Sequence, residues 1–434
     1  MNEHDSFRMM DVLRDSGYEM TEDPQQAGLI LVNTCSVRQN PENKVYSFLG
    51  TLREQKRQHP DLIVGVAGCV AQQEGETILQ REKLVDLVFG PDNYFRLPEM
   101  LDAVKAGERV CETQWLPRQH KIQNFIPEEW VERGHVDGVK AYIAITKGCN
   151  NMCTFCIVPH TRGREVSREG GNILREARSL VRNGAKEIWL LGQNVNSYRA
   201  GNDYRFYDLL DDLSQLEGLE RIRFTSPHPK DWNNELSDLM ASRRRICKQL
   251  HLPFQAGSDR VLHLMRRNHT LDEYLAKIKY LQRAAPTVEI STDLIVGFPT
   301  ETDADFERTL HCLEEVRFSQ VFPFKYSPRP DTVAAELEDD VPRELKEERL
   351  ARVIALQSRI NAEKMEAYRG SLQDVLIDGA HHKLRGVMNG RTGGYRPISL
   401  RDDSLELGDI VTARVTGHQG HWLHGELVRE TATV

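Results

Sequence analysis

Two hydrophobic patterns alternate along this chain. Short continuous apolar runs, LILVNTC (29–35), LIVGVAGC (62–69) and LVDLVFG (84–90), predict strands buried on both faces. Between them lie stretches with a helical period. DSFRMMDVLRDSG is one, with Phe7, Met10, Leu13 and Arg14 near helical spacing; ENKVYSFLGTLREQ and LPEMLDAVKAG are others. Buried strands alternating with helices predict a parallel α/β sheet domain over about residues 1–120. Residues 112–137 have no clear period and read as a linker.

From about 138 to 367 a strand–helix unit repeats. The predicted strands are AYIAIT, EIWLLGQ, RIRFTS, KQLHLPF, VEISTDLIVGF and SQVFPFKY, separated by helical patterns such as NILREARSLVRNG and LDEYLAKIKYLQRA. Six units in one run fit a partial (β/α)6 barrel of TIM type better than an open sheet. The texture changes over 369–431. SLQDVLIDGA, LRGVMNGRTGGYRPISL, DIVTARVTGH and HWLHGELV are short β runs broken by glycine-rich turns, which predicts a small antiparallel barrel of OB-like size.

Composition narrows the classes. A chain of 434 residues fits about three domains. No stretch approaches the roughly 18 to 20 uncharged apolar residues that span a bilayer, and MNEHDSFRMM has no signal-like apolar core. The expectation is a cytoplasmic protein with no membrane partner, whose eight cysteines stay reduced. The net charge of −8 argues against a generally basic nucleic-acid binder. Residues 369–434 hold eight Lys plus Arg against eight Asp plus Glu, so the last module offers no electrostatic funnel. Its candidate RNA surface is Tyr395, Arg391 and Arg396 among glycines.

The candidate chemistry sits at strand ends. Cys35 and Cys69 close the first two apolar runs, on the edge of a parallel sheet where ligands bind. In the repeat, KGCNNMCTFC places Cys149, Cys153 and Cys156 within eight positions after the first strand. Gln193 and Asn194 follow the second strand, Ser226 the third and Gln255 the fourth, while Asp293 lies in the fifth. Two metal readings of the three-cysteine loop are open: a Cys₃His zinc site completed by His160, or a 4Fe-4S cubane whose fourth iron stays open for a small molecule. Polar groups at the barrel mouth could orient a cofactor there.

Cys-x₃-Cys-x₂-Cys after the first strand of a partial barrel, with Phe155 before the third cysteine, resembles the radical S-adenosylmethionine (SAM) enzymes. NTCSVR, GCVAQ, CIVPHTRGREVSR, LLGQNVNSY, HLPFQAGSDRVLHLMRR, DLIVGFPTET and NGRTGGY extend the resemblance to the MiaB-type tRNA methylthiotransferases, and the terminal module resembles their RNA-binding TRAM domain. The resemblance implies methylthiolation at C2 of N6-isopentenyl(dimethylallyl)adenosine at position 37 of tRNA, next to the anticodon. It implies two 4Fe-4S clusters, one on Cys149, Cys153 and Cys156 and an auxiliary one on Cys35 and Cys69, with Gln193, Asn194, Ser226, Gln255 and Asp293 toward SAM. The implied partners are the tRNA anticodon loop and an electron donor such as flavodoxin or ferredoxin, and the chain is expected to be a monomer. The family's third auxiliary ligand lies in a C-Q-M-N motif, of which Met1 and Asn2 match the last two positions. A late-assigned start, lacking that cysteine and the sheet's first strand, is therefore expected, with the auxiliary cluster held weakly by the chain as written.

Overall fold

The computed structural model describes residues 1–35, 39–117, 126, 128–201 and 203–429. Two compact units emerge: Met1–Glu128 with Thr146–Arg168 and Ser327–Ala335, and Glu129–Ile145 with Glu169–Tyr326 and Glu336–Val434.

The first unit contains a four-stranded parallel sheet of β1 (Leu29–Thr34), β2 (Ile63–Gly68), β3 (Leu87–Phe89) and β4 (Val110–Glu112), in that order. Its helices are α1 (Asn2–Asp15), α2 (Gln39–Gln58), α3 (Cys69–Glu74), α4 (Glu76–Arg81) and α5 (Leu97–Lys105). The three apolar runs form β1 to β3, and β2 is buried at every position, as an inner strand flanked by helices requires. β1 is a half-buried edge strand. β4, only three residues long and carrying Cys111, escaped the sequence pattern. The apolar core gathers Leu49, Leu52, Val64, Val66, Ile78 and Val88.

Helix α1 forms where its period predicts, but it buries a different face. Phe7, Met10 and Leu13 are only half-buried and Arg14 is exposed, whereas His4, Asp5, Arg8, Met9 and Val12 are buried. The helix is rotated because its polar face makes the specific contacts. Asn33 of β1 donates to the Asn2 carbonyl at 2.7 Å and to Ser6 Oγ at 2.9 Å, and Asp5 meets a buried arginine.

In the second unit the short strand β5 (Val136–Asp137) pairs antiparallel with β6 (Lys140–Ala144). The chain then enters the first unit for β7 (Thr146–Lys147), α6 (Val158–Arg162) and β8 (Val166–Ser167), and returns. The repeat continues through α7 (Gly170–Arg182), β9 (Glu187–Leu191), the ribbon β10 (Arg199–Ala200) and β11 (Tyr204–Arg205), α8 (Phe206–Ser214), β12 (Arg221–Phe224), α9 (Asn234–Ser242) and β13 (Gln249–His251). Then come α10 (Asp259–Leu264), α11 (Leu271–Ala284), β14 (Glu289–Val296), α12 (Asp303–Val316), β15 (Gln320–Lys325) and α13 (Arg343–Ala367).

The six predicted strands are thus β6, β9, β12, β13, β14 and β15. They form two parallel runs, β12–β9–β6 and β13–β14–β15, joined by a parallel bridge between Ile222 and Ile246. Amphipathic helices cover the outside; α7, for example, buries Ile173, Ala177 and Leu180. The last module closes a five-stranded barrel of β16 (Leu372–Ala380), β17 (Val387–Thr392), β18 (Pro397–Arg401), β19 (Ile410–Gln419) and β20 (Trp422–Leu427).

That module sets its β17–β18 turn against the N-terminal ends of the repeat strands, where β9, β12, β13 and β14 begin with Glu187, Arg221, Gln249 and Glu289. Arg396 is buried and pairs with Glu289 at 3.2 Å. Tyr395 stands edge-on to Trp189 with ring centres 5.0 Å apart, and the Arg223 guanidinium lies over its face at 4.8 Å. Arg223 also donates to the carbonyls of Thr392 and Gly393. Tyr395 and Arg396, expected to face RNA, are thus used inside the protein. A buried arginine must find several acceptors, and this turn supplies backbone carbonyls that would otherwise be orphaned.

Candidate functional site

The three-cysteine loop is a closed excursion. Thr146 and Lys147 of β7 pair antiparallel with Ser167 and Val166 of β8, so the chain leaves and returns at one place. Gly148, at φ +78°, is required there: a Cβ would stand 2.4 Å from the Arg164 carbonyl oxygen and 2.5 Å from that of Gly163. The Cys149 N–H donates to the Gly163 carbonyl at 3.1 Å and the Cys156 N–H to the Cys153 carbonyl at 3.0 Å. The Ala334 N–H meets the Thr154 carbonyl at 2.8 Å and ties the loop to the 327–335 segment.

Cys149 and Cys153 are buried and Cys156 half-buried, and no disulfide joins any of the eight cysteines. Burial pushes the Cys149 thiol up to about 11, against the Asn151 N–H that faces its sulfur at 3.4 Å. A bound cation would reverse that preference.

Among the described residues no three His, Cys, Asp or Glu side chains converge as a single-ion metal site. His160 is exposed on α6, so a tetrahedral Cys₃His zinc site is not assembled. A cubane is broader than one ion, and its corners take thiolates that need not converge on a point. Three free thiols on one clamped loop fit that group in number and type.

Cys35 and Cys69 belong to the same unit as the loop. The β1–β2 register pairs Thr34 with Gly68, so the two cysteines directly follow the paired C-terminal ends of adjacent parallel strands, Cys69 as the first residue of α3. Gly68, at φ +92°, lets the chain turn from β2 into α3; a Cβ there would lie 2.4 Å from Asn33 Oδ1 and 2.5 Å from the Thr34 carbonyl oxygen. Cys111 lies on β4, and burial raises its thiol to about 11.

Arg162 connects the two cysteine groups. Helix α6, six positions beyond Cys156 at its end, packs against α3, whose first residue is Cys69. The Arg162 Nε donates to Cys69 Sγ at 3.3 Å, one Nη to Asn2 Oδ1 at 3.0 Å, and the other pairs with Asp5 at 2.7 Å. Both charged side chains are 4% exposed. Burial opposes the ionised form of Asp5, yet the adjacent guanidinium holds its carboxyl well below the usual range. Burial likewise opposes the charged form of Arg162, and Asp5 outweighs it, holding the guanidinium above its usual value. The Arg162 guanidinium thus turns inward on Cys69, Asn2 and Asp5 of its own unit. Arg164 is exposed and Arg168 buried.

In the second unit, Gln193, Asn194, Ser226 and Gln255 follow the C-terminal ends of three adjacent strands of the repeat. Asn194 is buried and donates to Asp231 at 2.8 Å, while its Oδ1 is a buried acceptor with no hydrogen-bond partner. Ser226 and Gln255 adopt left-handed backbone, φ +58° and +72°. Gln255 is held there because its N–H donates to the Asp293 carbonyl at 3.1 Å and its own carbonyl accepts from Ile295 at 2.9 Å.

Asp293 Oδ2 lies 3.3 Å from His251 Nε2, and His251 Nδ1 lies 3.0 Å from Ser291 Oγ. His251 was missed by sequence reasoning because its strand, QLH, is only three residues long and gives no readable alternation. His228 is buried, and burial, followed by Arg267 and His269, keeps its imidazole neutral.

Three family models match the chain: the radical SAM superfamily over residues 143–313, "Uncharacterized protein family UPF0004" over 1–90, and the TRAM domain over 366–428. Curated relatives named tRNA-2-methylthio-N(6)-dimethylallyladenosine synthase match nearly end to end. The protein of Geotalea uraniireducens (strain Rf4) is 43% identical over 99% of this chain and 97% of its own length. That of Stutzerimonas stutzeri (strain A1501) is 44% identical with the same coverage. Among solved structures, the radical SAM methyltransferase TsrM from Kitasatospora setae superposes with a TM-score of 0.56 at 15% identity, covering 75% of this chain and 70% of that one, which shows a shared fold. With its clamped three-cysteine loop, its (β/α)6 repeat and its terminal five-stranded barrel, this chain belongs to the family of tRNA-2-methylthio-N(6)-dimethylallyladenosine synthases of the radical SAM superfamily.

Proposed function

We propose that this chain attaches a methylthio group to C2 of N6-dimethylallyladenosine at position 37 of tRNA, beside the anticodon. The observation that carries the reading is the end-to-end identity with synthases of that name, joined to the presence of both expected cysteine groups in one compact unit. C2 of an adenine is an unactivated C–H carbon that no side-chain acid, base or nucleophile functionalises, so the chemistry belongs to a cofactor.

When bound, the iron–sulfur clusters and SAM supply the one-electron chemistry and the sulfur. Cys149, Cys153 and Cys156 hold the SAM-cleaving 4Fe-4S cluster, and Cys35 and Cys69 ligate a second one. Gln193, Asn194, Ser226, Gln255 and Asp293 bind and orient SAM. The protein reads as three consecutive modules, about 1–120, 138–367 and 369–431, working as a monomer in the cytoplasm with flavodoxin or ferredoxin as donor. No helix among the described residues is long and apolar enough to cross a membrane. The anticodon loop presents its base unstacked, gripped through backbone and splayed bases.

The test is mass spectrometry of tRNA nucleosides from a strain lacking this protein. Loss of 2-methylthio-N6-dimethylallyladenosine, restored by the wild-type chain and not by Cys153→Ala, is expected. Unchanged levels of that nucleoside in the deletion strain would eliminate this substrate.

A further inference from the structure

We infer that Arg162 is a positioning residue for the sulfur of Cys69: it fixes that sulfur's orientation and raises the reduction potential of the metal group the sulfur ligates. The inference rests on the reading of Cys35 and Cys69 as ligands of a second cluster.

The geometry is specific. A guanidinium carries five donors in a rigid fork, and here all three nitrogens have assigned partners in one place: Nε on Cys69 Sγ, one Nη on Asn2 and the other on Asp5. Asp5 and Asn2 hold the fork from behind and leave Nε–H aimed at the sulfur. A buried Arg–Asp pair is poor value as a stabiliser, because desolvation consumes most of its Coulombic gain. A third contact, to the buried Cys69 thiol at the start of α3, gives it a function instead.

The direction follows from charge. Reducing a cluster adds an electron that spreads onto its thiolate sulfurs. A charged N–H donor, buried and therefore little screened, favours that more negative state. Removing the donor disfavours reduction. Arg162 also lies on the helix that follows Cys156, so a single side chain joins the segment carrying one set of ligands to a ligand of the other.

The experiment uses the full chain with Cys149, Cys153 and Cys156 changed to Ala, so that only the second site can hold iron. After anaerobic reconstitution, iron is counted and the midpoint potential is read by redox titration followed with electron paramagnetic resonance. A potential does not depend on how many chains are loaded, so partial occupancy suffices. Arg162→Gln combined with Asp5→Asn avoids stranding a buried carboxylate. That double variant is expected to disfavour reduction about tenfold, ~59 mV more negative for one electron. Asp5→Asn alone keeps the Nε–H on the sulfur and removes a buried negative charge, so it should shift the potential the opposite way, to less negative values. Arg162→Lys, which keeps the charge without the fork, should fall between the parent and the double variant. Thermal melts identify any variant that fails to fold, and Arg162→Lys then carries the test. An unchanged potential in folded, iron-loaded Arg162 variants overturns the inference and leaves the second cluster standing. No iron in the parent triple variant instead removes the second-cluster reading, and the inference with it.

Discussion

Each unit buries an arginine against a carboxylate with a cysteine nearby, and the two nodes are put to different uses. In the second unit, Arg223 and Glu187 are 0% exposed, 2.8 Å apart, and Cys247 lies close enough for Arg223 to lower its thiol against the dominant effect of burial. The remaining Arg223 donors go to Gln249, Thr392 and Gly393, and Glu187 also accepts from Trp189 Nε1. Every partner is architectural, and the node fastens the five-stranded barrel to the strand ends of the repeat. In the first unit, Arg162 has Asp5 and Asn2 as comparable supports but directs Nε–H at Cys69, which follows the C-terminal end of β2 as Cys35 follows that of β1. Burial and charge do not separate a structural node from a functional one; what the third donor touches does.

The comparison breaks most visibly in the cysteines. Cys69→Ala is expected to reduce methylthiolated nucleoside to background, whereas Cys247→Ala, which empties only a small core position, should keep activity within about twofold and cost ~1 kcal/mol or less. Mass spectrometry of tRNA digests beside thermal melts checks both. Comparable activity in the two variants would erase the distinction.

The carboxylates come next. Glu187→Ala leaves a fully buried guanidinium without its counter-charge and should destabilise the second unit by about 3–5 kcal/mol, read as a lowered denaturant midpoint. Acid does the same reversibly at both nodes. The folded-state pKa values of Asp5 and Glu187 lie below their ordinary values of 3.8 and 4.5. Their stabilisation is therefore complete above those values and is lost as pH falls through the depressed ones. Melting temperatures that rise on acidification would contradict both assignments. The smallest effect is expected at Tyr395: replacement by Phe keeps the ring on Trp189 and should change stability little, while Tyr395→Ala loses the aromatic pair, about 0.5–1.5 kcal/mol beyond the buried area.

Much of the site was legible because its chemistry follows strand ends. Continuous apolar runs ending in Cys35 and Cys69, and a run followed by Cys149, Cys153 and Cys156, place those thiols correctly without any knowledge of packing. The buried polar contacts were not legible. The period of α1 favours Phe7, Met10 and Leu13 inward, but Asp5 is drawn in by an arginine 157 positions later, and no local pattern announces such a partner. Arg396 and Tyr395 failed for the same reason: a glycine-rich turn with cations and an aromatic ring looks like an RNA surface until Glu289 and Trp189 claim it. His251 hid in a three-residue strand, too short for alternation to be read with assurance.

Ser226 and Gln255 carry one further consequence. Neither is glycine, yet both hold the left-handed backbone, a conformation that costs a non-glycine residue of order 1 kcal/mol or more and persists only where neighbours over-determine it. Gln255 is over-determined by β14, which grips it on both sides through Asp293 and Ile295. Glycine at either position would relieve the strain, yet it would also return conformational entropy to the unfolded chain and free the strand end to wander. The C-terminal edge of the repeat is thus kept tense rather than relaxed, and its rigidity is maintained at the expense of stability the fold could otherwise keep.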